Sequence, residues 1–321
     1  MKAQELERPG TLASDVVFVY GALRSGTTVF RLMLDAHRGM ANPGEADFLF
    51  DHLKLDSSGV WRCDKLRLAG DRIFEAMHLT LPSRKDGLDL LADLLAQIKA
   101  RAPGLVVTLN LHRNLDRLLA ALPAAKLIHM VRDPRDVAQS SIGMGWAGTL
   151  CHGVDHWIAT ETVWDAQKPR LSPGQVFEFS YEALLADVEA ILSRTCDFLG
   201  LEYTPAMLGY HQSTTYGPPN AALANQWKHR ANRADLAPLE AKAALLMRNL
   251  GYALSGPLVP PSLGLKARLF VTNKTAVWRF GAKRFGMGLY WAEKLTRRLG
   301  LTALHHRIMP RMKEIQGKHL K

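Results

Sequence analysis

A chain of 321 residues with 47% hydrophobic residues can bury a full core, and its length allows one large domain or two small ones. No stretch approaches the roughly eighteen uninterrupted apolar residues of a membrane-spanning helix, and the opening MKAQELERPGTLASD lacks the apolar core and cleavage site of a signal peptide, so the expected location is the cytoplasm. The net charge of +11 is unevenly placed: residues 266–321 carry 14 Lys or Arg against 2 Asp or Glu, and everything before them is nearly neutral. Cys63, Cys151 and Cys196 have no metal-ligand spacing and do not form an even-numbered framework, so they read as buried free thiols.

The first strong element is DVVFVYG, residues 15–21, a β-branched and aromatic run closed by glycine, followed by a helical pattern over 27–37. A mixed, mostly helical stretch leads to LVVTLN, a second strand over 105–110, and a helix over 114–122. AKLIHMV, residues 125–131, is a third strand that stops at RDPRD, where Asp133 can cap a helix and Pro134 can occupy its first turn. A fourth strand over 176–179 runs into a helix with Tyr181 near its start. Strands alternating with helices imply parallel pairing through right-handed crossovers, hence an α/β sandwich with a central parallel sheet flanked by helices. Pro260-Pro261 marks a junction that divides the chain into residues 1–262 and a basic, helical extension, 263–321.

GALRSGTT, residues 21–28, lies between a strand and a helix with the Gly-x4-Gly spacing of a phosphate loop. Gly21 and Gly26 permit the tight turn, and the loop amides with the helix N-terminus suit an anionic phosphate. The fold class is therefore a P-loop-type three-layer sandwich. Thr27 stands where a nucleoside-triphosphate site places its lysine, the basic side chain is Arg24 instead, and no strand ends in a clear magnesium-binding aspartate. A kinase or NTPase is thereby disfavoured, and the loop suits a donor that has no γ-phosphate and no obligatory metal.

GALRSGTTVFRLMLDAH resembles the 5′-phosphosulfate loop of the PAPS-dependent sulfotransferases (PAPS is 3′-phosphoadenosine-5′-phosphosulfate), above all the tyrosylprotein sulfotransferase-like branch. The resemblance implies that Arg24, Ser25, Gly26, Thr27 and Thr28 hold the 5′ end of the donor. LIHMVRDPRDVAQSS is similar to that family's 3′-phosphate site, which implies Arg132 and Ser140 as its grip. SYEAL resembles the segment whose tyrosine lies near the adenine, nominating Tyr181, with a core tyrosine as the alternative. NAALANQWKHR is similar to a late loop that closes over the nucleotide, nominating Trp227 and Lys228, with a merely packed Trp227 as the alternative. The similarity covers about residues 15–253.

Sulfuryl transfer needs a nucleophilic acceptor hydroxyl, in-line approach, and cations for the charge developing on the leaving phosphate oxygen. Arg24 suits the last role. The related branch carries its basic glutamate in a Gly-Glu pair after the first helix, which implies Glu45 in NPGEADF as the catalytic base, and histidine in other branches makes His112 the runner-up. Relatives commonly show a lysine where this chain has Asn110. That departure leaves a non-catalytic PAPS-binding protein as an alternative function. The acceptor is a hydroxyl whose class, lipid, glycan, peptide or small metabolite, is open. In the tail, Trp278, Ala282, Phe285, Leu289, Ala292 and Leu299 fall on one helical stripe, with Tyr290 and Trp291 as interfacial anchors. Packing on the body, an anionic membrane surface and another anionic partner are the three readings, with no module for specific nucleic acid.

Overall fold

The computed structural model describes residues 16–319; Asp15 and the polar opening segment lie outside the described residues. The strands are β1 (Val16–Tyr20), β2 (Met40–Ala41), β3 (Leu53–Leu55), β4 (Trp61–Cys63), β5 (Val106–Leu111), β6 (Lys126–Val131) and β7 (Val176–Ser180). Five of them form one sheet in the order β2-β5-β1-β6-β7, with every pairing parallel. The expected α/β architecture, a central parallel sheet flanked by helices, is the one observed. All five residues of β1 are buried, as a strand covered on both faces requires, which is why its sequence is continuously apolar and not alternating. The stretch read as mostly helical also contains an antiparallel ribbon, β3 with β4. Its strands are three residues each and carry Lys54 and Arg62, too short and polar for a periodic signal.

The chain divides into two compact units, residues 1–133 with 156–226, and residues 134–155 with 227–321. In the first unit, the helix Thr27–Asp35 buries Phe30, Met33 and Leu34 in a core shared with Val17, Val19, Ile128 and Phe179. Phe30 and Phe179 meet at a ring separation of 4.9 Å. Burying such side chains contributes roughly 1.5–3 kcal/mol each, so the packing fixes where that helix begins, and with it the loop before it. Of the three cysteines, all free, Cys196 is buried and Cys63 and Cys151 are half-buried.

A charged cluster sits inside this unit. His129 of β6 is 1% exposed; its Nδ1 lies 3.1 Å from Glu178 and its Nε2 3.0 Å from Glu161, which is fully buried. Trp164 stacks on the imidazole at 3.9 Å and Lys168 reaches Glu178 at 2.7 Å. Two carboxylates can both be satisfied only by a ring that donates from both nitrogens, the imidazolium. Burial alone would lower the His129 pKa, but the charges and hydrogen bonds of Glu161 and Glu178 outweigh it and raise it above 6.5. Burial likewise opposes the Glu178 carboxylate, yet hydrogen bonds from His129 and Lys168 bring it down from 4.5 to about 2. The raised His129 contributes stability that is complete below 6.5 and lost as pH climbs through its folded value. Glu178 contributes above 4.5 and loses its share as pH falls towards about 2. The melting temperature is therefore expected to be highest between these limits and to fall on the alkaline side. His129→Gln should cost roughly 3–5 kcal/mol and flatten that alkaline fall, which thermal melts across pH measure directly.

The second unit is helical. Arg135, on the helix Pro134–Gly143, pairs with Glu240, on the helix Arg233–Asn249, at 2.9 Å, and both are 3% exposed. Glu240 also accepts from the amide and hydroxyl of Ser255, so the buried charge is well surrounded by donors. The tail is helical, but one helix does not run from 278 to 299. Gly286, at φ 81, separates the helices Leu263–Phe285 and Met287–Arg298. Tyr290, expected as an interfacial anchor, is 5% exposed and packs its ring where a side chain on Gly281 would stand. Ala282, Phe285, Leu289 and Ala292 are half-buried, so most of the expected stripe is a packing face. Among the described residues, no helix is long and apolar enough to cross a membrane.

Candidate active site

The loop between β1 and the helix Thr27–Asp35 leaves the sheet at its carboxyl edge, the usual ligand-binding edge of such sheets. Two glycines make it possible. A Cβ on Gly21 would collide with the carbonyl oxygen of Met130, and one on Gly26, at φ 93, would collide with the ring of Tyr181. Between them Arg24 takes a left-handed backbone, φ 74, uncommon for a residue with a side chain and of a kind that concentrates at functional loops.

Three of the loop's carbonyls are tied back by side chains from elsewhere in the fold. His112 Nδ1 donates to Gly21 O at 2.8 Å, His156 Nε2 to Leu23 O at 2.9 Å, and Arg132 Nη1 to Arg24 O at 3.1 Å. Gly26, the N-cap of the helix, offers no side-chain acceptor to the first helical amides. The N–H ends of a helix without a cap are a ready place for an anion. Ser25 points the same way: it is fully buried, and its Oγ has no hydrogen-bond partner among the described residues. Thr27 is buried and Thr28 half-buried at the first helical positions.

Two arginines supply positive charge here. Desolvation first, and then the charge of Arg132, lower the pKa of Arg24, while Tyr216 opposes them. An arginine stays protonated regardless, so the shift registers chiefly the loss of solvent around a charge that a bound anion would offset. Arg132 also donates from Nη2 to Leu223 O at 3.1 Å, and its guanidinium carbon sits 4.4 Å from the centre of the Tyr181 ring. The end of β6, the phosphate loop, Tyr181 and the segment around Leu223 are thus brought together, as the sequence motifs require. Tyr181 is 5% exposed, so it packs as a core residue while one face meets Arg132 and Gly26.

Glu45 and His112 lie on neighbouring extended segments. Asn110 N donates to Gly44 O at 2.9 Å, Ala46 N to Asn110 O at 2.7 Å, and Glu45 bridges Asn110 in parallel fashion. Glu45 is half-buried, and His112 is 5% exposed. Because His112 Nδ1 must donate to a carbonyl, the neutral ring keeps its lone pair on Nε2. Asn110 gives no cation: it is 2% exposed and donates to Thr27 O at 3.3 Å, while its Oδ1 accepts from Asn42. It braces the first residue of the loop's helix. His37 is likewise structural, its Nδ1 accepting from Gly39 N and its Nε2 donating to Glu202 O.

Sequence reasoning missed two positioning residues. Asp47, 1% exposed, accepts both the His112 and Arg113 amides on one oxygen, at 2.9 and 3.1 Å. Its place just inside a helix start, two residues after Glu45, was the available signal. Burial raises its pKa, against the opposing charges of His112 and Arg113. His156 had no local signal at all. In the second unit, Ser140 lies on the helix Pro134–Gly143, and Trp227 donates its amide to Asp136 at 2.8 Å and stacks 3.6 Å from the Arg135 guanidinium. Trp227 is half-buried, and the exposed Lys228 sits 5.8 Å from its ring.

Comparison with known proteins bears on the family and the fold. A protein of Aquifex aeolicus is 25% identical over 222 residues, 65% of this chain; the match spans 28% of that protein's length. A putative protein-tyrosine sulfotransferase of Caenorhabditis briggsae is 28% identical over 208 residues, 61% of this chain and 69% of that one. In fold, the chain is similar to a sulfotransferase domain from the Synechococcus PCC 7002 olefin synthase, TM-score 0.59, 19% identity, 74% of this chain and 95% of the other. It is similar also to a sulfotransferase domain from the curacin biosynthetic pathway, TM-score 0.54, 18% identity, 75% of this chain and 98% of the other. A model of the sulfotransferase family matches residues 16–205, which include the phosphate loop, Glu45, His112, Arg132 and Tyr181, and the chain belongs to that family.

Proposed function

We propose that the chain transfers a sulfuryl group from PAPS to an acceptor hydroxyl. The observation that carries this reading is the uncapped phosphate loop, with Ser25 Oγ buried and unpartnered beside the charges of Arg24 and Arg132. The loop residues fit the donor's 5′ end, which Ser25, Gly26, Thr27 and Thr28 would hold, and the sequence motifs support Arg132 and Ser140 for its 3′-phosphate, Tyr181 for its base and Trp227 with Lys228 as the segment that closes over it. When bound, PAPS supplies the sulfuryl group and a phosphate leaving group. Glu45 takes the acceptor proton as the acceptor oxygen forms its bond to sulfur and the sulfur–phosphate oxygen bond breaks. Arg24 stabilises the charge left on that phosphate oxygen, a task done best by a preorganised cation. A second reading puts the base at His112, favoured by the Nδ1 bond to Gly21 O, which orients an Nε2 lone pair.

The acceptor proposed is a hydroxyl on a lipid, glycan, peptide or small metabolite; the name of the Caenorhabditis briggsae relative adds support for a peptide tyrosine. The proposed location is the cytoplasm, peripheral to an anionic membrane. Incubation with sulfur-labelled PAPS, and separately with γ-phosphate-labelled ATP, in the presence of cell extract tests the reading. Label should pass to acceptor from PAPS and not from ATP. Transfer from ATP alone would mean a kinase, and binding of PAPS without transfer a non-catalytic protein.

A further inference from the structure

The helix Leu263–Phe285 has three faces within its own unit. One is packed: Asn273 Oδ1 accepts from Gly148 N at 2.7 Å, and Ala276 and Phe280 stand where side chains on Gly148 and Gly145 would have to go. A second face is largely apolar and open, interrupted by the exposed Lys274, whose ammonium lies 5.5 Å from the centre of the Phe270 ring and can extend from such a face to the headgroups. Leu263, Phe270, Val271 and Trp278 recur at helical spacing and are 83%, 55%, 60% and 44% exposed. The third is basic, with Arg268, Arg279 and Lys283 exposed. In all, the helix holds six Lys or Arg and no acidic residue. At its far end Trp278 meets Trp291 of the following helix at 5.5 Å, and both rings remain more than 40% exposed, at 44% and 42%.

We infer that this helix lies in the interface of an anionic lipid bilayer, with Leu263, Phe270, Val271 and Trp278 inserted and the basic face against lipid headgroups. An apolar stripe left in water costs free energy that insertion recovers, and a helix with such a stripe beside a cationic one has the pattern of interfacial helices. Paired tryptophans, apolar in body and polar at one edge, suit the boundary between headgroup and acyl chain. Charge selects the occupant. A second copy of the same helix would bring six positive charges against six with no acidic residue to offset them, whereas an anionic surface attracts each one. This face shares Trp278 alone with the stripe expected from sequence, most of which is packed. The inference rests on the peripheral placement proposed above and gives it an orientation, and nucleotide binding in the same samples reports on the donor site separately.

The test is flotation of the full chain with vesicles of phosphatidylcholine alone or mixed with phosphatidylserine, at low and high salt. The chain should float with the anionic vesicles at low salt and much less at high salt or with neutral lipid. Phe270→Ser with Val271→Ser should lower the bound-to-free ratio roughly tenfold or more. Arg268→Glu with Arg279→Glu should do likewise. Both variants should keep the thermal shift given by 3′-phosphoadenosine-5′-phosphate, which shows that they fold. Failure of the native chain to float with anionic vesicles at low salt would overturn the inference, as would native-like flotation of the serine variant. A native dimer that the serine variant disperses would assign the apolar face to a second copy, and tight binding to duplex DNA that the glutamate variant abolishes and the serine variant keeps would assign the basic face to nucleic acid; either would overturn the inference.

Discussion

Glu45→Gln is expected to lower sulfuryl transfer by roughly a hundred- to ten-thousand-fold, the span typical of a lost general base. Nucleotide affinity should stay near its native value. The amide has almost the shape of the carboxylate, so the bridge from Glu45 to Asn110 and the flanking backbone bonds through Gly44 and Ala46 remain in place. What disappears is the capacity to take the acceptor proton as the oxygen–sulfur bond forms. His112→Ala is the informative partner. It removes the donor to Gly21 O, so it should loosen the loop and weaken nucleotide binding even where Glu45 is the base. A variant that turns over slowly because the donor binds poorly regains its rate at saturating PAPS, whereas one lacking its base does not. Normal turnover by Glu45→Gln, together with loss at saturating PAPS for His112→Ala, would move the base to His112.

The strands and the phosphate loop were legible because their causes are local. A run such as VVFVY is buried on both faces and so needs no alternation, and Gly21 and Gly26 announce a turn that no side chain fits. What holds the loop is not local. His156 reaches Leu23 O, and Thr160, on the same helix, donates to His112 O. These are single polar bonds between distant parts of the chain, and neither residue breaks a pattern. Asn110 was visible as the loss of a lysine but not as the gain of a brace on Thr27 O, because only the fold shows which carbonyl it faces. In the tail the sequence reads as one helical stripe over 278–299. That Gly286 breaks it while Gly281 admits the Tyr290 ring depends on packing between the two helices.

Binding of 3′-phosphoadenosine-5′-phosphate, set against adenosine 5′-phosphate at matched concentration, tests most directly whether the site is built for a nucleotide with two separate phosphates. Both ligands offer a 5′-phosphate to the amides and hydroxyls of the loop. Only the first carries the group assigned to Arg132 and Ser140. Charge-assisted bonds to arginine are the strong class of hydrogen bond, and each bond of this kind contributes about 1.5–3 kcal/mol, so its absence should weaken binding by an order of magnitude or more. At a concentration about a hundred times its dissociation constant, the bisphosphate would stabilise the folded chain by about 2.7 kcal/mol, a shift of several degrees in the melting temperature. A clear shift with the bisphosphate, a much smaller one with adenosine 5′-phosphate, and loss of the difference in Arg132→Ala is the predicted result. Equal shifts from the two nucleotides, or none from either, would contradict the account.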